Sequence, residues 1–209
     1  MSMRIRKKPC AAQELEENQL ILRNPEAYAL KMPDYFNNGQ AIHLEIGSGK
    51  GRFIIQCAAK NPNINHIAME REETVMAIAA RLARESEGSL AFVNLDAKDL
   101  LDYFKPGDIS RLYINFCDPW HRRKKWAKRR LTHVNFLAIY EKLEIPEIHF
   151  KTDNRILFEF SINQFSEAGW IMKNISLDLH NSGMEDNIMT EYEEKFSAHG
   201  PIYRLEATR

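Results

Sequence analysis

Four acids, Glu45, Glu70, Asp96 and Asp118, each close a short apolar run in the first 120 residues. Directly after the first of them stands Ile46-Gly47-Ser48-Gly49-Lys50-Gly51. Glycines at alternate positions let a backbone turn sharply and approach a ligand closely. A helix starting there presents free N–H groups. Carboxylates accept hydrogen bonds from hydroxyls and amines and attract cations. A ligand laid across such a set would carry all three kinds of group. The glycine spacing G-x-G-x-G is neither the G-x-G-x-x-G of dinucleotide folds nor a P-loop. A pyrophosphate needs positive dipoles and no nearby acids, which disfavours a dehydrogenase.

Each acid also has a plainer reading. Glu70 lies 19 positions after Gly51, near the distance at which an acid reaches ribose hydroxyls in nucleotide-binding βαβ units. It could equally serve the dipole of the next helix, as Glu72 and Glu73 do. Asp96 could be a helix N-cap or accept from an adenine amine. Four acids at four successive strand ends are much harder to dismiss than one. S-adenosylmethionine carries ribose hydroxyls, an adenine amine, an ammonium and a sulfonium, so the set points to it as the cofactor.

A second specification is written in cations. The chain has 29 Lys and Arg against 29 Asp and Glu, a formal net charge of zero. Yet Arg4, Arg6, Lys7 and Lys8 fall in the first ten residues with no acid. Arg122, Arg123, Lys124, Lys125, Lys128, Arg129 and Arg130 fall in 121–130, again with no acid. Those 11 cations leave 18 to face 29 acids elsewhere, a net of −11. Segregated charge of this kind implies a polyanionic partner. Trp120 and Trp126 interleave the second cluster, which suits phosphate contact combined with stacking on an unstacked base. Trp120 could equally be a structural anchor for the loop.

The elements that must hold these groups alternate regularly. Strands are expected at 41–46, 64–69, 90–95, 111–116, 147–151, 170–177 and 202–206. Helices are expected at 53–59, 72–84, 97–104, 131–143, 155–167 and 190–196. This α/β alternation predicts a mostly parallel, seven-stranded sheet with helices on both faces, with ligands beyond the carboxyl ends of the strands. Residues 1–38 read as a basic arm with an appended helix and loop, and 39–209 as the main domain. No apolar run reaches membrane-span length, and the basic start lacks the apolar core of a secretory signal. Cys10, Cys57 and Cys117 form no CxxC pair or zinc spacing, which fits a reducing cytoplasm. His43, His66, His133, His149, His180 and His199 are scattered without metal spacing, so no metal is expected.

Several motifs together resemble one family. Glu45 to Gly51 is similar to motif one of class I methyltransferases. Asp118-Pro119-Trp120 followed by a basic stretch and Lys128-Arg129-Arg130-Leu131, then Lys151-Thr152-Asp153, then Thr190-Glu191-Tyr192-Glu193, resemble the bacterial tRNA (guanine-N7-)-methyltransferases. The likeness runs from the Arg-Lys-Lys-Pro arm at 6–9 to Arg204. It implies a Rossmann-like class I methyltransferase fold and a cytoplasmic, RNA-binding enzyme of tRNA modification. That enzyme would methylate N7 of a guanine in the tRNA variable loop. It carries cofactor contacts onto Glu45, Gly47, Gly49, Gly51, Glu70, Asp96 and Asp118, with Asp118 also catalytic. Substrate contacts fall on Arg122, Asp153, Thr190 and Glu193. Arg123, Lys124, Lys125, Lys128, Arg129 and Arg130 would meet RNA. Where the family has Pro-Lys after the tryptophan, this chain has His121-Arg122, and its loop is one residue longer, so Arg123 is an alternative to Arg122. No obligate protein partner is evident, and a monomer or homodimer is expected. Competing readings are a non-catalytic RNA-binding domain that kept the fold, and an aminopropyl or small-molecule methyl transferase.

Overall fold

The computed structural model describes residues 9–120 and 124–209. The basic arm before Pro9 and the expected contact residues Arg122 and Arg123 lie outside the described residues, as does the side chain of Lys124. Helix α1 (Pro9–Glu17) and a two-residue strand β1 (Ile21–Leu22) lead into β2 (Ile42–Ile46), α2 (Arg52–Lys60), β3 (Asn65–Met69), α3 (Glu73–Leu82) and β4 (Ser89–Val93). Then come α4 (Leu100–Tyr103), β5 (Ile109–Asn115), α5 (Val134–Lys142), β6 (Glu147–Thr152), α6 (Arg155–Glu167), β7 (Ile171–Ser176), α7 (Glu191–Phe196) and β8 (Tyr203–Thr208).

These strands form one sheet in the order β1-β4-β3-β2-β5-β6-β8-β7. Pairing is parallel from β1 to β6, and β8 runs antiparallel between β6 and β7. The expected seven strands are present. The eighth is β1, which pairs Ile21 with Phe92 and Leu22 with Val93. Two residues are too short for a periodic signal, and only the pairing with β4 makes them a strand. The expected helix at 97–104 begins as a 3-10 turn (Ala97–Asp99) before α4.

One face of the sheet is apolar. Leu44, Leu112, Ile114, Ile148, Phe150 and Leu205 are fully buried there against Leu137 and Tyr140 of α5 and Leu157, Phe158 and Phe165 of α6. The other face divides. Over β3 and β4 it is apolar apart from the buried His66, with Ala68, Leu90 and Phe92 packed on Ile54, Cys57 and Ala58 of α2 and on Met76, Ala79 and Ala80 of α3. Over β2, β5, β6 and β8 it is polar. Register places Arg111, Tyr113 and Asn115 beside His43, Glu45, His149 and Lys151, with Arg204 and Glu206 next in line. A cavity of about 730 Å³ lies along this half, bounded by Cys57 of α2, by Asn61 directly after that helix and by the 184–188 segment.

Candidate active site

The glycine turn after β2 is held by its neighbours' backbone. The N–H groups of Gly47 and Ser48 donate to the Met69 carbonyl at 2.8 and 3.1 Å. Gly51 has φ +77°, and a Cβ there would lie 3.0 Å from Ala79 Cβ and 3.1 Å from the Phe92 ring. Only glycine fits that conformation in that space. Gly47 and Gly49 also have positive φ, but a Cβ on either would meet nothing within 4 Å. Their open sides border a cavity of about 440 Å³ that is also lined by Glu45, Asn115, Phe116 and the 190–192 segment.

Glu45 is 2% exposed. Its Oε1 accepts from Asn115 Nδ2 at 2.9 Å, and its Oε2 is buried without a hydrogen-bond partner. Burial pushes its carboxyl up to about 8, against the hydrogen bond from Asn115 and the Lys151 charge, which both lower it. An unpartnered buried carboxylate oxygen on a cavity wall calls for a donor, best a cationic one. The ammonium of S-adenosylmethionine is such a donor, and the open glycine turn leaves room beside it. The residues present fit that cofactor.

Adjacent strands line up the remaining acids along one edge of the sheet. Glu70 follows β3: its Oε2 accepts from Gly49 N–H at 3.0 Å and its Oε1 from Glu72 N–H at 2.9 Å. It therefore braces the glycine turn, and a carboxylate with about four acceptor positions keeps room for ribose hydroxyls. Asp96 follows β4 and caps the 3-10 turn, accepting from Lys98 N–H at 3.2 Å, while its Oδ2 meets Arg71 at 3.0 Å. Asp118 follows β5 and is exposed. On either side of it, Phe116 and Trp120 hold φ of +51° and +45°. Bulky residues rarely adopt that region, and strain of this kind gathers at functional sites. Asp153 follows β6, is exposed, and accepts from the Tyr192 hydroxyl at 2.9 Å. The Tyr192 ring lies between those of Phe116, 5.0 Å away, and Phe196, 4.3 Å away.

Within the basic segment, Lys125, Lys128 and Arg129 are exposed. Arg129 lies over the Trp120 ring at 4.9 Å and near that of Trp126 at 5.9 Å, and the two indoles meet edge to face at 6.0 Å. Arg130 is placed differently. It is 8% exposed, donates from Nε to the Pro119 carbonyl at 2.8 Å, and covers the Phe160 ring at 4.3 Å. In this structure its charge ties down the loop beside Asp118. The Thr190–Glu193 segment is also turned inward. Thr190 and Glu193 form a reciprocal capping box at the start of α7, and Glu193 is fully buried with Oε2 2.7 Å from Lys151 Nζ.

Sequence reasoning gave no role to Asn115, to Lys151 beyond its place in the Lys151-Thr152-Asp153 motif, or to Phe116, and it took in Tyr192 only as part of the Thr190–Glu193 segment. A signal for the first two was present. Arg111-Leu-Tyr-Ile-Asn115 and Glu147-Ile-His-Phe-Lys151 alternate polar and apolar residues with period two, which marks a second, polar face. That face also brings Glu147, His149 and Glu206 within 4.8 Å of one another. Their carboxylates are already engaged, Glu147 by Arg111 at 2.7 Å and Glu206 by Arg204.

Solved methyltransferases share this architecture. The crystal structure of the 16S rRNA methyltransferase KamB superimposes with a TM-score of 0.60 at 14% identity, covering 85% of this chain and 92% of that one. A mutant 16S rRNA (adenine(1408)-N(1))-methyltransferase from Catenulisporales acidiphilia, solved with cosubstrate SAM, gives 0.55 at 13% identity, covering 95% and 90%. At that identity the likeness speaks for the fold, which is the Rossmann-like class I methyltransferase fold. Residues 39–205 match the family described as "Putative methyltransferase". The tRNA (guanine-N(7)-)-methyltransferase of Bacillus subtilis (strain 168) is 49% identical over 209 residues, 98% of each chain. That of Listeria innocua serovar 6a is 51% identical over 210 residues, again 98% of each. The chain belongs to the tRNA (guanine-N(7)-)-methyltransferase family.

Proposed function

We infer that this protein methylates N7 of a guanine in tRNA, with S-adenosylmethionine as donor and the variable loop as target. The observation that carries the reading is the full-length match to relatives of that name, on a chain whose glycine turn faces an unpartnered buried glutamate. The donor supplies a methyl group on a positively charged sulfur.

Guanine N7 is a lone-pair nucleophile without a proton, so no general base is needed. The protein's task is to position and to stabilise developing charge. Glu45 would hold the donor's ammonium, and Glu70 and Asp96 its ribose and adenine edges. Asp118, at the end of β5, would stand where donor and target meet and orient both. Asp153 would accept from the N1–H and amino group of the guanine once Tyr192 shares it. Lys125, Lys128 and Arg129 would meet phosphates, and the Trp120–Trp126 pair would support an exposed base. No helix among the described residues is long and apolar enough to cross a membrane, and tRNA as substrate places the work in the cytoplasm.

The test incubates the protein with S-adenosylmethionine and unmodified tRNA, then cleaves the product at 7-methylguanosine. Cleavage at a single variable-loop guanine is expected. Tight tRNA binding without any cleavage would instead favour a non-catalytic RNA-binding domain. An Asp118→Ala variant should bind tRNA as before and lose about 10²- to 10³-fold in kcat, the usual cost of a lost charge-stabilising group. Full turnover in that variant would remove Asp118 from the chemistry.

A further inference from the structure

Lys151 is a buried ammonium to which the reaction gives no part. It lies on β6, in register with Asn115 of β5 and Arg204 of β8, and its side chain is 5% exposed. All three of its N–H groups have acceptors: Glu193 Oε2 at 2.7 Å, the Ile188 carbonyl at 2.9 Å and Asn187 Oδ1 at 3.2 Å. The Phe53 ring lies 5.1 Å from Nζ. Glu193 is as fully engaged, its Oε1 accepting from Asn187 Nδ2 at 2.6 Å and lying 3.2 Å from His180 Nε2. A buried pair of this kind is a poor source of net stability, because desolvation of both charges offsets their attraction. Its effect is geometric. It fixes the chain from Asn187 to Glu193, and so sets Thr190, Glu191 and Tyr192 against the cavity of the glycine turn.

Lys151 also faces a second acid. Glu45, Asn115 and Lys151 sit on one face of the adjacent strands β2, β5 and β6. We propose that Lys151 is a positioning residue shared by two carboxylates: it clamps Glu193 to set one wall of the cofactor cavity, and its charge steadies Glu45 on another, so that cofactor binding depends on a lysine that does not touch the cofactor. This rests on the reading of Glu45 as partner of the cofactor's ammonium. Facing Glu45 are Asn115 and Tyr113 from β5, Lys151 from β6, Glu70 from the end of β3, and Cys57 and Phe53 from α2. Lys50, Arg52, Lys195 and the acid Glu191 also line the cavity that Glu45 borders, and Lys151 is the cation among the described residues whose charge acts on the Glu45 carboxyl. Its own proton affinity is lowered by burial and supported by Glu193 and Glu45.

The test titrates S-adenosylhomocysteine, which keeps the ammonium and lacks the transferable methyl, into full-length protein between pH 6 and 9. Wild-type affinity should rise with pH as Glu45 loses its proton, and Glu45→Gln should abolish the rise. The double variant Lys151→Met/Glu193→Gln removes both buried charges together and preserves the packing, so it folds where Lys151→Met alone strands a buried carboxylate. In it the rise should move up by about one pH unit, with affinity near pH 7 lower by on the order of tenfold. Glu193→Gln alone keeps the lysine charge and should not move the rise upward, and Lys151→Arg/Glu193→Gln, which puts a cation back where the double variant has Met, should rise at the same pH as Glu193→Gln. A double variant that rises at the wild-type pH, whatever its affinity, makes Lys151 merely structural and overturns the proposal. If wild type shows no rise, or Glu45→Gln binds equally well, the reading of Glu45 fails instead.

Discussion

The two faces of the central strands are both buried, and they are buried for different ends. On one side Leu44, Leu112, Ile114, Ile148, Phe150 and Leu205 have no exposed surface. On the other His43, Glu45, Tyr113, Asn115, Lys151, Arg204 and Glu206 are each below 10% exposed. The first face contributes hydrophobic burial, about 25 cal/mol per Å² of apolar surface removed from water. The second offsets desolvation with hydrogen bonds and charge pairs, and yields little net stability. Parallel strands covered on both faces ordinarily read as continuous apolar runs. Here β5 and β6 alternate, because one of their faces holds the polar groups that lead up to the cofactor cavity. The comparison therefore predicts a division of labour: damage to one face lowers stability, and damage to the other alters binding and pH response.

The sharpest break in that comparison would come from Phe150, which is fully buried and stacks at 6.2 Å on Phe158. Phe150→Ala should cost about 3–5 kcal/mol, read as a lower midpoint in urea unfolding at every pH. On the polar face, Glu45→Gln keeps size and shape. It should leave the unfolding midpoint at neutral pH unchanged or raised, because a buried carboxyl no longer needs accommodation. It should also weaken S-adenosylhomocysteine binding at pH 8 by on the order of 10- to 100-fold, or about 1.4–2.7 kcal/mol. A Glu45→Gln protein that unfolds as easily as Phe150→Ala while binding normally would erase the distinction.

The same contrast shows what could be read in the sequence. The glycine turn, the four strand-end acids and most element boundaries are local patterns, and α6 spans the expected 155–167. The polar face was also written locally, in the alternation of β5 and β6, but their apolar members alone suffice to mark them as strands, and the other half of the pattern looks like ordinary polarity. The partnerships were not legible. Asn115 meets Glu45 across 70 positions and Lys151 meets Glu193 across 42, and only the strand order brings them together. That order, with β8 inserted antiparallel between β6 and β7, depends on pairings distant in sequence. Arg130 shows the converse limit. Its place in a run of cations says solvent and phosphate, and the nearby Pro119 carbonyl and Phe160 ring draw it inward.

The pH dependence of stability should come next, because the groups that titrate all lie on the polar side of the sheet. Burial lowers His43 to about 3 and His66 to about 4. Both stay neutral when folded and charge when unfolded, so their contribution is complete above about 6.5 and is lost as pH falls toward those values. Glu45 runs the other way. Its raised folded value favours the protonated carboxyl, so its contribution is present below about 4.5 and is lost as pH rises through about 8. The cofactor-free protein should thus be most stable at mildly acidic pH, and Glu45→Gln should flatten the fall from about 6.5 to 8 and steepen the loss on the acid side, where the Glu45 contribution no longer opposes that of the histidines. Thermal unfolding from pH 4 to 9 checks this, and a Glu45→Gln profile that superimposes on wild type would deny the buried carboxyl its part.

The smallest effect belongs where the polar face reaches solvent. Lys50 of the glycine turn pairs with Glu191 of α7 at 2.9 Å, with both side chains partly exposed. Lys195 competes for the same Glu191 oxygen at 2.6 Å. Exposed pairs contribute about 0.2–1 kcal/mol and are screened by salt. Lys50→Ala should therefore shift the unfolding midpoint barely measurably, since Glu191 retains Lys195. If the pair instead helps close α7 over the cavity, S-adenosylhomocysteine should dissociate up to a few-fold faster from Lys50→Ala at low salt, and the difference should vanish near 1 M salt, where the screening length falls to about 3 Å. A gap between variant and wild type that persists at high salt would mean that Lys50 acts by touching the ligand, and would move it from the rim of the polar face into the binding site.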